Sequence, residues 1–220
     1  MARPLRLSVG ALLASLAAPL LLVLSPSPAH AETYSGSLTT AIGDLSVATE
    51  VRTGYNRDLF NHWVDADGDG CDTRKEVLIA EADDAPSVGS GCALSGGRWF
   101  SYYEGASQTD DGALDIDHMV PLAEAWDSGA RTWSSTVRRD FANDLGDYRS
   151  LVGVTDNVNQ AKGDQDPGTW LPQYDQCRYL REFVAVKHRW RLSVDSAEKS
   201  AMASLASSCT NSTITVTLAR

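Results

Sequence analysis

Residues 115–121, DIDHMVP, place a histidine directly after an aspartate, and residues 156–164, DNVNQAKGD, place an amide and an ammonium three positions apart. His118 carries an imidazole that takes a proton from water near neutral pH. Asp117 and Asn159 offer hard oxygen atoms, which suit Mg²⁺, Mn²⁺ or Ca²⁺ better than zinc. Two protein ligands leave positions for water and for phosphate oxygens, and the metal then stabilises charge on a reacting phosphate and on its departing oxygen. Lys162 shares a helical face with Asn159 and is expected to contact a neighbouring phosphate. Taken singly, each has a plainer reading: a packed histidine, a turn asparagine, a solvated lysine, a surface Asp115. Their joint spacing is compatible with phosphodiester chemistry and does not by itself outweigh the plainer readings.

These residues need a frame. LDIDHMV alternates apolar and polar positions, as a half-buried strand does, and Pro121 ends it. Alternation sends Asp117 and His118 to opposite faces, so the two are expected to serve one site only through a bend or bulge. SSTVRRDFANDL has a serine cap and helical spacing, DYRSLVGVT reads as a second strand, and DNVNQAKGD as a short helix or turn. CRYLREFVAVKHRW lines Tyr179, Phe183, Val186 and Trp190 along one helical face, and Asp195 with Glu198 opens a last helix in the manner of a capping box. Residues 32–50 form a polar, weakly helical lead-in, and DDAPSVGSGCALSGGRW is turn-rich, feeding a hairpin that ends in RWFSYYEG. The expected class is α+β.

The ordered set DIDHMVPLAEAWDSGA, FANDL and NQAKGDQDPGTWLP resembles the HNH, or His-Me finger, nucleases with their ββα-metal fold. It is more narrowly similar to secreted HNH-family proteins that share a domain with the C-terminal part of modification-dependent restriction endonucleases. WVDADGDGCDTRKEVL and the C-terminal cysteines fit the same group, so the likeness covers most of residues 55–209. The resemblance implies a ββα-metal core over about residues 110–165 with additional helices, within a single nuclease domain spanning 32–220. It implies His118 as general base, Asp117 and Asn159 as holders of one divalent metal, Mg²⁺ or Mn²⁺, and products with 5′ phosphates. DNA is the implied substrate, with RNA alongside it. In the family an asparagine on the second strand orients the histidine; Ser150 stands there here, so either Ser150 or a backbone carbonyl takes that bond. No separate reading module is visible, which implies low sequence preference.

DADGDGCDTRKE, residues 65–76, fits the calcium-loop spacing with Asp65, Asp67, Asp69, Gly70 and Glu76. Asp72 and Cys71 depart from the usual loop, and a solvated acidic turn is the plainer reading. A further reading turns Thr73, Arg74 and Glu76 towards the nuclease site, with the planar fork of Arg74 on a phosphate. His62 is expected to pack. The run Arg181, Lys187, His188, Arg189 and Arg191 reads as a solvated helix side rather than a phosphate track. Trp126, Trp133 and Trp170 flank the site in sequence and are candidates for stacking on bases.

Residues 1–31 carry Arg3 and Arg6, an apolar run from Val9 to Leu24 and a small-x-small ending at Ala29 and Ala31, the pattern of a cleaved secretory leader. The chain has 19 Lys and Arg against 29 Asp and Glu, a net charge of −10 that becomes more negative once the leader is gone. Such a surface favours a soluble monomer and argues against indiscriminate phosphate binding, so activity on nucleic acid must rest on a local site. Cys71, Cys92, Cys177 and Cys209 read as two disulfides of an exported protein. The local pairing, Cys71–Cys92 and Cys177–Cys209, staples each end of the chain. No C-x-x-C supports zinc, and HExxH, GxSxG and Walker motifs are missing. The rival expectation is a calcium-binding extracellular interaction module on an inactive nuclease fold.

Overall fold

The alternation through LDIDH becomes a strand in a computed structural model that describes residues 32–220. The expected leader, 1–31, lies outside the described residues. In chain order the strands are β1 (Thr33–Ser37), β2 (Ser87–Val88), β3 (Leu94–Ser95), β4 (Trp99–Ser101), β5 (Ala106–Gln108), β6 (Leu114–His118), β7 (Leu151–Thr155) and β8 (Thr213–Thr217). The helices are α1 (Leu38–Asp44), α2 (Thr73–Glu81), α3 (Leu122–Asp127), α4 (Ser135–Ala142), α5 (Asp156–Lys162), α6 (Gln176–Arg189) and α7 (Ser196–Ala206). The fold is mixed α+β, with four two-stranded antiparallel ladders ordered β1–β8, β2–β3, β4–β5 and β6–β7.

The β6–β7 ladder positions the site. Its register runs from Leu114 opposite Thr155 to His118 opposite Leu151 without a break, and the Met119 amide continues it by donating to the Ser150 carbonyl at 3.0 Å. The expected bend or bulge is therefore replaced by a regular strand that simply ends. Leu114, Ile116 and Leu151 turn to one face, against Val77, Leu78 and Trp99. Val152 and Val154 turn to the other, into the main core with Tyr179, Leu180 and Phe183 of α6. Burial on both faces is why LVGV reads as a continuous apolar run. A side chain at Gly153 would press on the Glu81 carboxylate, whose Oε2 accepts the Gly153 amide at 2.5 Å.

Helix α5 follows β7 directly and packs on both strands. Between β6 and β7 the chain makes α3 and α4. All six residues of α3 are buried, so it shows no polar face and was not legible as a helix. Ser134 caps α4 through the Val137 amide and Asp195 caps α7 through the Glu198 amide, as their spacing predicts. RWFS opens the β4–β5 hairpin. The 32–50 lead-in contains β1 and α1, and β1 pairs with the distant β8.

Both disulfides take the local pairing, Cys71–Cys92 and Cys177–Cys209. The basic run on α6 is not a solvated side. Lys187 is fully buried on Glu124, Arg189 grips Asp144 through two nitrogens, and His188 stacks on Tyr34. Among the described residues no helix is long and apolar enough to cross a membrane.

Candidate active site

Asp117 leaves β6 on the core side, where its Oδ2 accepts hydrogen bonds from the Tyr103 hydroxyl at 2.5 Å and the Lys162 ammonium at 2.6 Å. Lys162 ends α5 and is fully buried. Its remaining hydrogens go to the carbonyls of His118 at 2.9 Å and Met119 at 3.1 Å. With three acceptors for three hydrogens, Lys162 is not the phosphate contact expected from its spacing; it is a buried tie between α5 and the end of β6. Burial pushes Asp117 up and Lys162 down, while their contact pulls each back towards its charged form. The second carboxylate oxygen of Asp117 makes no hydrogen bond among the described residues, and Asp117 borders a cleft of about 160 Å³.

Asn159 enters the same cleft from α5, three residues before Lys162. Its Nδ2 donates to Oδ2 of Asp115 at 3.2 Å, which turns the amide so that its oxygen is the free end. Asp115 and Asp117 lie two apart on β6 and so share a face. One carboxylate orients the amide, and the other keeps one oxygen locked and one oxygen open. The free donors are therefore both hard oxygens, a set that fits Mg²⁺ or Mn²⁺.

His118 leaves the opposite face and borders the same cleft at the end of β6, three residues before Pro121 caps α3. The ring lies between Trp63, at 5.4 Å between centroids, and Phe141, at 6.4 Å, both near parallel. Its Nε2 lies 2.9 Å from the Ala142 carbonyl. A carbonyl only accepts, so Nε2 carries the hydrogen and Nδ1 keeps its lone pair. Burial, with a smaller contribution from the Arg57 charge, pushes the imidazole down to about 3. The ring is neutral at physiological pH and can accept a proton.

Ser150 does not orient His118. Its hydroxyl donates to Asp144 Oδ2 at 2.7 Å, within a knot where Asp144 also accepts from Arg189 and Trp190. The orienting bond belongs to the Ala142 backbone. Arg74 also lies elsewhere: its Nη2 donates to the carbonyls of Asp111 and Leu114, at the far end of β6 from His118.

Several residues of the site are not apparent in the sequence. Asn143, the C-cap of α4, accepts from the Val64 amide and the Thr73 hydroxyl and donates to the carbonyls of Asn61 and Arg139. This holds Trp63, whose φ of 58° lies in the left-handed region, against the imidazole. Exposed Arg57 borders the cleft without a side-chain hydrogen bond among the described residues, and is its free cation. Asn143 stood in the FANDL string; nothing local marks Trp63, Tyr103 or Arg57. Trp126 and Trp133 are core residues, and Trp170 packs on Tyr103 and Tyr179.

In the acidic loop, carboxylate oxygens of Asp65, Asp67 and Asp69 lie within 4.8 Å of one another, as do ligating atoms of Asp69, Cys71 and Glu76. Cys71 is oxidised and supplies no thiolate. Asp65 accepts from the amides of Gly68 and Gly70, which curl the loop. Glu76, in the first turn of α2, is pushed up by burial and by Asp69, Asp67 and Asp65.

The family described as GmrSD restriction endonucleases, C-terminal domain, matches residues 74–205. An uncharacterized secreted protein of Arthroderma benhamiae is 44% identical over 191 residues, covering 84% of this chain and 92% of that protein. No solved structure is a significant match. The matched span runs from α2 to α7 and includes Asp117, His118, Asn159 and Lys162, so the chain belongs to the family of GmrSD restriction endonuclease C-terminal domains.

Proposed function

We propose that this protein is a secreted, metal-dependent endonuclease that hydrolyses phosphodiester bonds of DNA, and of RNA where single strands fit, on an HNH-type ββα-metal core formed by β6, β7 and α5. The relative's name and the two disulfides put the chain outside the cytosol. A leader over residues 1–31 and a monomeric mature chain complete the reading. The observation that carries it is the neutral His118 ring, held through Nε2 by the Ala142 carbonyl and sharing one cleft with the free oxygens of Asp117 and Asn159.

In this reading His118 Nδ1 takes a proton from the attacking water, which adds to phosphorus in line as the bond to the 3′ oxygen breaks and that oxygen takes a proton from solvent. Asp117 and Asn159 would hold a divalent ion, which supplies Lewis-acid stabilisation of the phosphate and the leaving oxygen. Arg57, exposed at the cleft rim, meets a non-bridging oxygen of the bound phosphate. The substrate's negative charge raises the basicity of the imidazole, which burial alone leaves low. Asp65, Asp67, Asp69 and Glu76 would hold a structural calcium ion beside α2.

Plasmid nicking tests the reading. His118→Ala is expected to lose about 100- to 10,000-fold in rate, the usual contribution of a general base, when assayed at a temperature where circular dichroism shows the variant folded. EDTA stops cleavage by the parent protein and Mg²⁺ or Mn²⁺ restores it. No cleavage with any divalent ion, alongside a calcium-dependent rise in melting temperature, establishes instead the interaction module that the acidic loop favours.

A further inference from the structure

A second group of acids lies among residues that do not border the cleft. Ligand oxygens of Glu50, Glu124 and Asp166 lie within 4.8 Å of one another. Each has an oxygen without a donor. Glu124 Oε1 accepts from Lys187 at 2.5 Å and Ser128 at 2.8 Å, and its other oxygen accepts nothing. Asp166 Oδ1 accepts from the amides of Gly168 and Thr169, and its Oδ2 is free. Glu50 makes no side-chain hydrogen bond, and its Oε1 is buried.

A separate observation points the same way. Among the described residues the buried side-chain oxygens that find no hydrogen-bond partner are Glu50 Oε1, Asp127 Oδ1, Glu198 Oε1 and the Tyr179 hydroxyl. All belong to this neighbourhood. Asp127 is 3% exposed and lies one turn after Glu124 on α3. Glu198 is 1% exposed and is the exception, since its Oε1 lies 3.2 Å from the same Lys187 ammonium that binds Glu124 and is ion-paired there. Tyr179 is fully buried and feels the charges of Asp117, Asp166, Glu198 and Glu124. Orphaned buried acceptors are costly, and with one ammonium beside Glu50, Glu124, Asp166 and Glu198 the remaining carboxyls either hold protons or bind a cation. Water can fill lone pairs but supplies no compensating charge.

We propose that Glu50, Glu124 and Asp166 form a divalent-cation site of calcium type, distinct from the Asp117–Asn159 cleft and from the acidic loop. All-oxygen, partly solvated and irregular donors suit Ca²⁺, which accepts 6–8 ligands at about 2.3–2.6 Å. The ion ties the segment around Glu50 to α3 and to the loop after α5. That loop also carries Asp164, which borders the cleft.

Calorimetric titration of Ca²⁺ into the EDTA-stripped mature protein, without nucleic acid, tests the site. Glu50→Gln/Asp166→Asn is expected to lose one Ca²⁺ equivalent, or to weaken it at least tenfold, and to lose part of the calcium-dependent rise in melting temperature. Asp65→Asn/Asp69→Asn is expected to keep that equivalent. Unchanged stoichiometry and affinity in Glu50→Gln/Asp166→Asn overturns the proposal, as does removal of all Ca²⁺ binding by the loop variant. If the double variant does not fold, Asp166→Asn alone gives the same readout. A protein without nuclease activity that still binds this ion leaves the site standing.

Discussion

Asp117 and Lys162 show how a buried pair can serve a site without touching substrate. The ammonium spends its hydrogens on Asp117 and on the carbonyls of His118 and Met119, fixing the strand end from which both candidate side chains leave. Lys162→Met leaves a buried carboxylate uncompensated and is expected to destabilise by about 3–5 kcal/mol in urea unfolding. A lysine that only held phosphate would instead lower activity at unchanged stability, so the two measurements together decide its role. Tyr103→Phe keeps the ring and removes the other donor to Asp117. It is expected to lose about 1–3 kcal/mol and to slow plasmid nicking. His118, Asp117 and Asn159 were singled out together by residue type, spacing and the family resemblance, and the fold brings all three to the border of one cleft. The role of Lys162 was not legible, because its burial depends on carbonyls from a strand far away in sequence. Ser150 misled for a related reason: position on a strand says nothing about which backbone carbonyl reaches a ring.

At the scale of elements, α4 acts through its last turn. Ala142 supplies the carbonyl that sets the imidazole tautomer, and Asn143 pins the Trp63 segment and the start of α2. Asn143→Ala is expected to cost about 1–3 kcal/mol, to shift the fluorescence of Trp63 and to lower activity. Loss of stability alone, with Trp63 emission unchanged, would show that the clamp does not position that ring. The strands β6 and β7 and the helices α4 to α7 were legible, since each carries a period or a cap within its own length. Helix α3 was hidden by burial all round, and the β1–β8 ladder by pairing across nearly the whole described chain. Arg74 illustrates the limit of a planar fork as a clue: carbonyls of Asp111 and Leu114 satisfy it as a phosphate would.

For the whole molecule, acidity is distributed unevenly between surface and interior. Glu81, behind β7, is pushed up to about 7 by burial, against the opposing pull of the Gly153 amide. Its folded pKa lies above its unfolded value, so its contribution to stability is full below about pH 4.5 and is lost as pH rises through about 7. Glu81→Gln is therefore expected to match the parent near pH 4.5 and to exceed it at pH 8 by about 2–3 kcal/mol in urea unfolding. Equal differences at both pH values would place the ionisation of Glu81 outside that window. The ladder that joins β1 to β8 bears on timing. The first described strand finds its partner only in residues 213–217, with Leu218 and Arg191 closing on Glu32. A growing polypeptide therefore holds this strand unpaired until residues 213–217 have been made, so the ladder is among the last contacts to close.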